Sequence, residues 1–459
     1  MKLDRNQENV QVERTTFRTG AVASGNGSTQ IELVDSAREA GVDGAGVLCA
    51  RAPRVRSRWV RFALLAGPGI VVMLADTDAG SIITAAQSGA KWGYQLLLLQ
   101  VVLVPVLFVV QELTVRLGIV SGKGHGEMIR ECYGRGWAWI SVGTLVVACG
   151  GALLSELSGL AGVGLLFGVP AWLTMSVVVG GLTLMAYTGS YGSVERIAIA
   201  IGAFELVFLV VAWRAQPDLG ALASGLFSIP VRDPDYLYLV AANIGAVIMP
   251  WMVFYQQSAV VEKGLTVADL SAARWDTAVG AVVTQVIMAC VLVAMAATLG
   301  SAGGQAPLGN VQEIAEAITS ILGKRTGRLL FALGMTGSAL VATIVVTLTV
   351  ARTLGEVLGV KHSLAHAPQE APWFYGIYTV SLATAALVVA SGINLISLSV
   401  AVQVVNALLL PAVLGFLFLL ARRLPAPYRL HGGYAVVVAL TIVLTAGFGV
   451  YAGLAGIAG

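Results

Sequence analysis

The chain has 459 residues, 57% of them hydrophobic and only 12% charged, with a mean hydropathy of +0.82. This excludes a water-soluble domain and predicts an integral membrane protein built from apolar runs of 18 or more residues. The net charge of +3 carries little information, no nucleic-acid partner is expected, and Cys49, Cys132, Cys149 and Cys290 show neither CxxC nor metal-ligand spacing, which leaves them as reduced packing residues.

Residues 1–57 are polar, rich in Gly, Ser, Glu and Gln, and without apolar periodicity, so they read as a flexible cytoplasmic tail. A charged start followed by a short apolar region is missing, so insertion is expected to rely on the membrane helices themselves. Residues 58–459 read as a single transmembrane domain. Arg51, Arg54, Arg56, Arg58 and Arg61 crowd the start of the first helix and, by the positive-inside rule, hold the N-terminus in the cytoplasm.

About 11 spans are predicted, near residues 60–90, 93–118, 137–167, 170–188, 194–213, 236–262, 273–299, 327–357, 372–391, 394–421 and 434–457. Alternation from a cytoplasmic start puts Arg116, Lys123, Arg130, Arg196, Lys263, Arg274, Arg352 and Arg422 inside and far fewer basic residues outside. The C-terminus is then expected outside. The Lys324–Arg328 cluster fits least well and is read as capping a helix before the eighth span.

The first span is interrupted by Ala75-Asp76-Thr77-Asp78-Ala79-Gly80-Ser81. A charge at bilayer depth costs at least a few kcal/mol, so paired carboxylates there point to an ion pathway or a partner charge. No basic residue stands nearby in sequence. Small residues around the two acids suit a helix opening into extended backbone with free carbonyl oxygens, a composition fit for a cation site. An odd span count is compatible with two inverted five-helix halves plus one helix, which requires the sixth span to be broken as well. Asn243-Ile244-Gly245-Ala246-Val247-Ile248-Met249-Pro250-Trp251 meets that requirement, because Pro250 removes a backbone donor and frees a carbonyl near Ala246 beside the Met249 thioether. A simple proline kink is the alternative for this segment taken alone.

These residues resemble the natural-resistance-associated macrophage protein (NRAMP) family of divalent-metal transporters, whose first helix carries Asp-Pro-Gly-Asn and whose sixth carries Met-Pro-His. Here the motifs read Asp78-Ala79-Gly80-Ser81 and Met249-Pro250-Trp251, and the likeness extends through Gly67-Pro68, Gln111, the stretch Leu117 to Gly122, and Glu156. The resemblance implies an all-α membrane protein of LeuT-type fold working by alternating access. It also implies a central metal site of Asp78, Ser81, the Ala246 carbonyl and Met249, with Gln403 joining from the tenth span. Ala75 and Asp76 flank this set as further candidates.

Departures from the family pattern matter as much. Trp251 replaces the motif histidine, and an indole does not exchange protons near neutral pH. Leu153 stands where the family carries an Asp three residues before Glu156. His125, His362, His366 and His431 all fall in predicted loops or at helix ends, so proton coupling of the usual kind is not expected. The same losses resemble the bacterial NRAMP-related magnesium transporters. Mg²⁺ prefers oxygen ligands at about 2.0 to 2.1 Å and keeps several waters; Asp76 and the short Ser81 favour such an ion, whereas the soft Met249 favours transition metals unless it serves only as wall.

The remaining polar residues have structural readings beside functional ones. Glu112 and Arg116 are four apart and read as an ion pair. Glu156 reads equally as a pathway acid or as a partner for Arg116, and Glu205 and Asp276 read as hydrogen-bonded structural groups. Asp76, two residues from Asp78, reaches the ion only where the chain unwinds, or through water.

The expectation is a monomeric, multi-pass plasma-membrane importer of Mg²⁺, and also of Mn²⁺, without obligatory proton coupling, cofactor or catalytic residues. Its partners are the ion and the lipid. The alternative is a proton-coupled Mn²⁺ or Fe²⁺ importer. An intramembrane aspartyl protease is disfavoured because its two acids sit on facing helices, and a non-transporting metal sensor is separated from a transporter by flux.

Overall fold

The computed structural model describes residues 68–189, 191–300, 308–392 and 395–458, all of whose regular structure is helical. The expected tail and its arginine cluster lie outside the described residues. The first span is a bent pair, α1 (Pro68–Asp76) and α2 (Ala79–Trp92), whose axes turn by 48°. Then follow α3 (Leu97–Ser121), the short α4 (His125–Tyr133), α5 (Arg135–Leu166) and α6 (Ala171–Thr188). The fifth span is α7 (Tyr191–Gly202), a 3-10 turn over Ala203–Leu206 and α8 (Val207–Arg214).

A short helix α9 (Leu219–Leu226) leads to the second half. Its first span is again a pair, α10 (Pro234–Val247) and α11 (Pro250–Glu262), followed by α12 (Leu270–Thr298), α13 (Val311–Leu322), α14 (Lys324–Leu358), α15 (Pro372–Ala390), α16 (Leu395–Ala421) and α17 (Gly432–Ala458). Ten helices are long and apolar enough to cross a membrane, and the bent pair makes eleven. The predicted spans therefore stand, as does the LeuT-type architecture of two five-helix halves with one extra helix and breaks in the first and sixth spans.

Burial follows function within this set. The sixth span is 94% buried in its most apolar window, against 17% for the peripheral α6 and 28% for α17. The broken spans therefore form the axis and the others shield them from lipid. Glycines set how close the axis helices come: a Cβ on Gly245 would lie 2.7 Å from the Ala407 nitrogen and 2.9 Å from the Gln403 carbonyl carbon, so α10 and α16 meet backbone to backbone.

One sequence expectation changes. Lys324, Arg325 and Arg328 do not cap the helix before the eighth span; Gly323 (φ 86°) ends α13 and the three residues open α14. A 3-10 turn divides the fifth span.

Candidate metal site

Each break is made by local chemistry. Asp78 adopts extended backbone (φ −74°, ψ 172°) and its Oδ1 accepts the Ser81 N–H at 2.6 Å, a side-chain cap on α2. The Ala79 N–H is taken at 2.9 Å by Glu156 Oε2 from α5. Two carboxylates thus share the positive end of one helix, where free N–H groups favour negative charge. In the other half Met249 is extended (φ −85°, ψ 136°) and Pro250 is the first residue of α11, where its missing N–H costs nothing.

The two breaks are joined where Ser81 Oγ donates to the Ala246 carbonyl at 3.0 Å. Asp78, Ser81, Ala246 and Met249 are all at most 1% exposed. Ser155 Oγ and both Asp76 oxygens are buried without a hydrogen-bond partner, and the Asp78 and Glu156 carboxyl groups lie within hydrogen-bond reach of each other. Buried polar atoms are nearly always satisfied, so this concentration of free oxygen around the paired breaks is what a cation would satisfy. Ala75 is buried in the last turn of α1, directly before Asp76.

Two candidates are partly engaged. The Trp251 indole Nε1 donates to Met249 Sδ at 3.2 Å. Gln403 Oε1 accepts from Asn406 Nδ2 at 2.9 Å, and its amide nitrogen faces Gly80, where a Cβ would also lie 2.6 Å from Ser155 Oγ.

Other predicted positions separate from the site. Arg116 binds both oxygens of Glu112, at 2.8 and 2.7 Å, and not Glu156; Arg274 Nε adds 2.7 Å to Glu112 Oε1 and the Tyr434 hydroxyl 3.3 Å to Oε2. Leu153 lines an apolar cavity with Val350 and Val388. Asp276 accepts the Gly69 N–H at 2.9 Å, anchoring the start of α1 as a structural acid. Glu205 is fully buried on the 3-10 turn of the fifth span. It lies beside Thr77 and within Coulomb range of Asp78 and Asp76, a proximity that no spacing in the sequence announces.

Among the described residues no three His, Cys, Asp or Glu side chains converge as a metal cluster. The site is instead mixed, with one or two carboxylates, a hydroxyl, a backbone carbonyl and a thioether drawn from two broken helices. A family model described as natural resistance-associated macrophage protein-like (Nramp) matches residues 69–455 and so covers both breaks. The chain belongs to the Nramp family.

Similar Nramp chains carry substrate names. A divalent metal cation transporter MntH of Agrobacterium fabrum is 28% identical over 296 residues, covering 61% of this chain and 63% of that protein, which is under two thirds of its length. The MntH of Yersinia pestis is 30% identical over 296 residues, covering 61% and 70%. A crystal structure of the Eremococcus coleocola manganese transporter superposes with a TM-score of 0.71 at 21% identity, covering 89% of this chain and 90% of that one.

Proposed function

We propose that this Nramp chain is a transporter, not an enzyme, importing Mg²⁺ and also Mn²⁺ by alternating access at the Asp78–Ala246 junction, without proton coupling. The observation that carries the metal choice is the Trp251–Met249 bond. It engages one lone pair of the soft sulfur, which weakens Met249 as a ligand for a transition metal and shifts weight to the hard oxygens of Asp78, Ser81 and Ala246. Asp76, whose two oxygens have no hydrogen-bond partner, would receive waters kept by a hydrated ion.

The driving force is electrical. A divalent cation moving inward across roughly 100 mV releases about 4.6 kcal/mol, on the order of a thousandfold gradient, so no proton is required. The membrane is the plasma membrane, with the N-terminus cytoplasmic and the C-terminus outside, and the working unit is a monomer.

One observation favours a second reading, a proton-coupled Mn²⁺ or Fe²⁺ importer. Glu156 sits against the N-terminus of α2 with its carboxyl group in hydrogen-bond reach of Asp78, which is where a proton acceptor coupled to the ion would stand. Uptake into proteoliposomes with pH followed on both sides decides between them. Saturable Mg²⁺ flux without internal acidification supports the first reading, and Mg²⁺-insensitive Mn²⁺ uptake with proton entry supports the second.

A further inference from the structure

We propose that Asn243 is the gating residue of the outer ion route, the buried rung that holds the outer halves of the two broken spans together. Its place on the outer side rests on the import direction proposed above. Ser81, Ser88 and Lys91 fall on one face of α2, and Ala246, Asn243 and Asp235 fall on one face of α10. These faces meet in three rungs. Ser81 Oγ donates to the Ala246 carbonyl at 3.0 Å, Asn243 Nδ2 to Ser88 Oγ at 2.8 Å, and Lys91 Nζ to Asp235 Oδ2 at 2.6 Å. The first lies at the metal site and the last at the outer ends of both helices, so the seam runs from one to the other.

The rungs are not equal. The Asp235 side chain is 70% exposed, and an exposed ion pair contributes little. Asn243 and Ser88 are fully buried, and so is Gln100 of α3. The Leu239 carbonyl can only accept, so its 2.7 Å bond fixes which end of the Asn243 amide carries the donors. The oxygen end takes Gln100 Nε2 at 2.6 Å, while Ser88 gives its own proton to the Thr84 carbonyl at 2.7 Å and accepts from Asn243. One side chain thus ties α2, α3 and α10 through neutral bonds. Such bonds exchange for water at small net cost, which suits a contact that opens and closes again.

Polar ground lies on both sides of this rung. Outward is a cavity of about 240 Å³ lined by Gln87, Lys91, Asp235 and Leu239, reaching the residue whose carbonyl holds Asn243. Inward, the Thr84 hydroxyl is fully buried without a hydrogen-bond partner, three residues along α2 from Ser81. Asn243 stands three residues from Ala246, about 4.5 Å of helix rise. The Asn243 layer therefore stands between the outer cavity and the site.

The test is thiol labelling of Thr84→Cys in whole cells making the full chain, with a membrane-impermeant maleimide added outside and the chain lacking that cysteine as background. Labelling is expected to be slow with Asn243 intact and about fivefold faster with Asn243→Ala, the factor that one net neutral hydrogen bond supports. Ser88→Ala removes the same rung from the α2 side and is expected to act likewise, and Lys91→Met to change the rate by less than about twofold. An unchanged rate in either rung variant that reaches the membrane overturns the proposal, as does equal acceleration by Lys91→Met. Acceleration confined to inside-out vesicles overturns it too. The readout needs no ion, so failure of the gate and failure of the Mg²⁺ reading appear in separate measurements, labelling for one and flux for the other.

Discussion

Trp251 and Met249 are bound to each other, the indole N–H donating to the thioether sulfur at 3.2 Å with both side chains fully buried. The two residues stand two apart at the start of α11, so the tryptophan that replaces a titratable side chain also occupies the soft ligand of the site. Replacing Trp251 by Phe keeps the ring and removes the donor. A neutral hydrogen bond is worth about 1 kcal/mol net, so Trp251→Phe is expected to shift the Mn²⁺-to-Mg²⁺ preference about fivefold toward Mn²⁺ in competition flux. Met249→Ala is expected to impair Mn²⁺ more than Mg²⁺. Equal loss for both ions in Met249→Ala would sink the ligand role of the sulfur.

Asp78 has two jobs, a cap and a charge, and they separate by substitution. Asp78→Asn retains an oxygen that accepts the Ser81 N–H, whereas Asp78→Ala loses it at a cost of about 1 kcal/mol. Both are expected to abolish Mg²⁺ and Mn²⁺ uptake, and only the alanine variant to lower the melting temperature. Wild-type flux in Asp78→Asn removes the central claim.

Close backbone approach makes Gly245 the most sensitive glycine at the site. Its added Cβ would meet the backbone of Gln403 and Ala407, which cannot rotate aside. Gly245→Ala is expected to yield little monodisperse protein by size-exclusion chromatography. Gly143→Ala, at a position with open space around it, is expected to behave as wild type.

Glu112 holds two arginines and a tyrosine at one end of α3, with the Arg116 guanidinium 5.4 Å over the Tyr434 ring. Removing one member of a buried pair strands the other, at about 3 kcal/mol. Glu112→Gln is expected to lower thermal stability and protein yield without changing which ion wins in competition, and a changed selectivity would move Glu112 into the pathway.

His125 opens α4 outside the spans, bonded through Nδ1 to Gln257 Oε1 at 2.8 Å and stacked edge-on to Phe254. Burial lowers its pKa to about 4, opposed by the Gln257 bond. The unfolded chain takes up a proton near 6.5 and the folded one only near 4, so the unfolded state binds more protons between those values. The stabilisation is complete above about pH 6.5 and is lost as pH falls toward 4. Melting temperature followed from pH 7.5 to 4.5 should fall more steeply in wild type than in His125→Gln.

Much of the fold was legible because lipid imposes it. Spans need about 20 apolar residues, and the two places where small, acidic or proline residues interrupt them stood out for that reason. Asp78, Ser81 and Met249 were readable as a group because each break is local: a capping acid begins α2 and a proline begins α11. The helices α4 and α9 were not read, being short and lying between spans, where apolar periodicity is weak.

Sequence alone therefore determined the membrane class, the span order and the two breaks, since these follow from hydropathy and local backbone chemistry. Tertiary structure decided which side chains meet. It turned Arg116 to Glu112 and away from Glu156, put the Trp251 donor on Met249, and brought Glu205 from the fifth span to the first break. The reason is geometric: a residue in a buried helix faces one neighbour among several, and that neighbour is set by glycine-governed approach between helices far apart in the chain, such as Gly337 against Ile201.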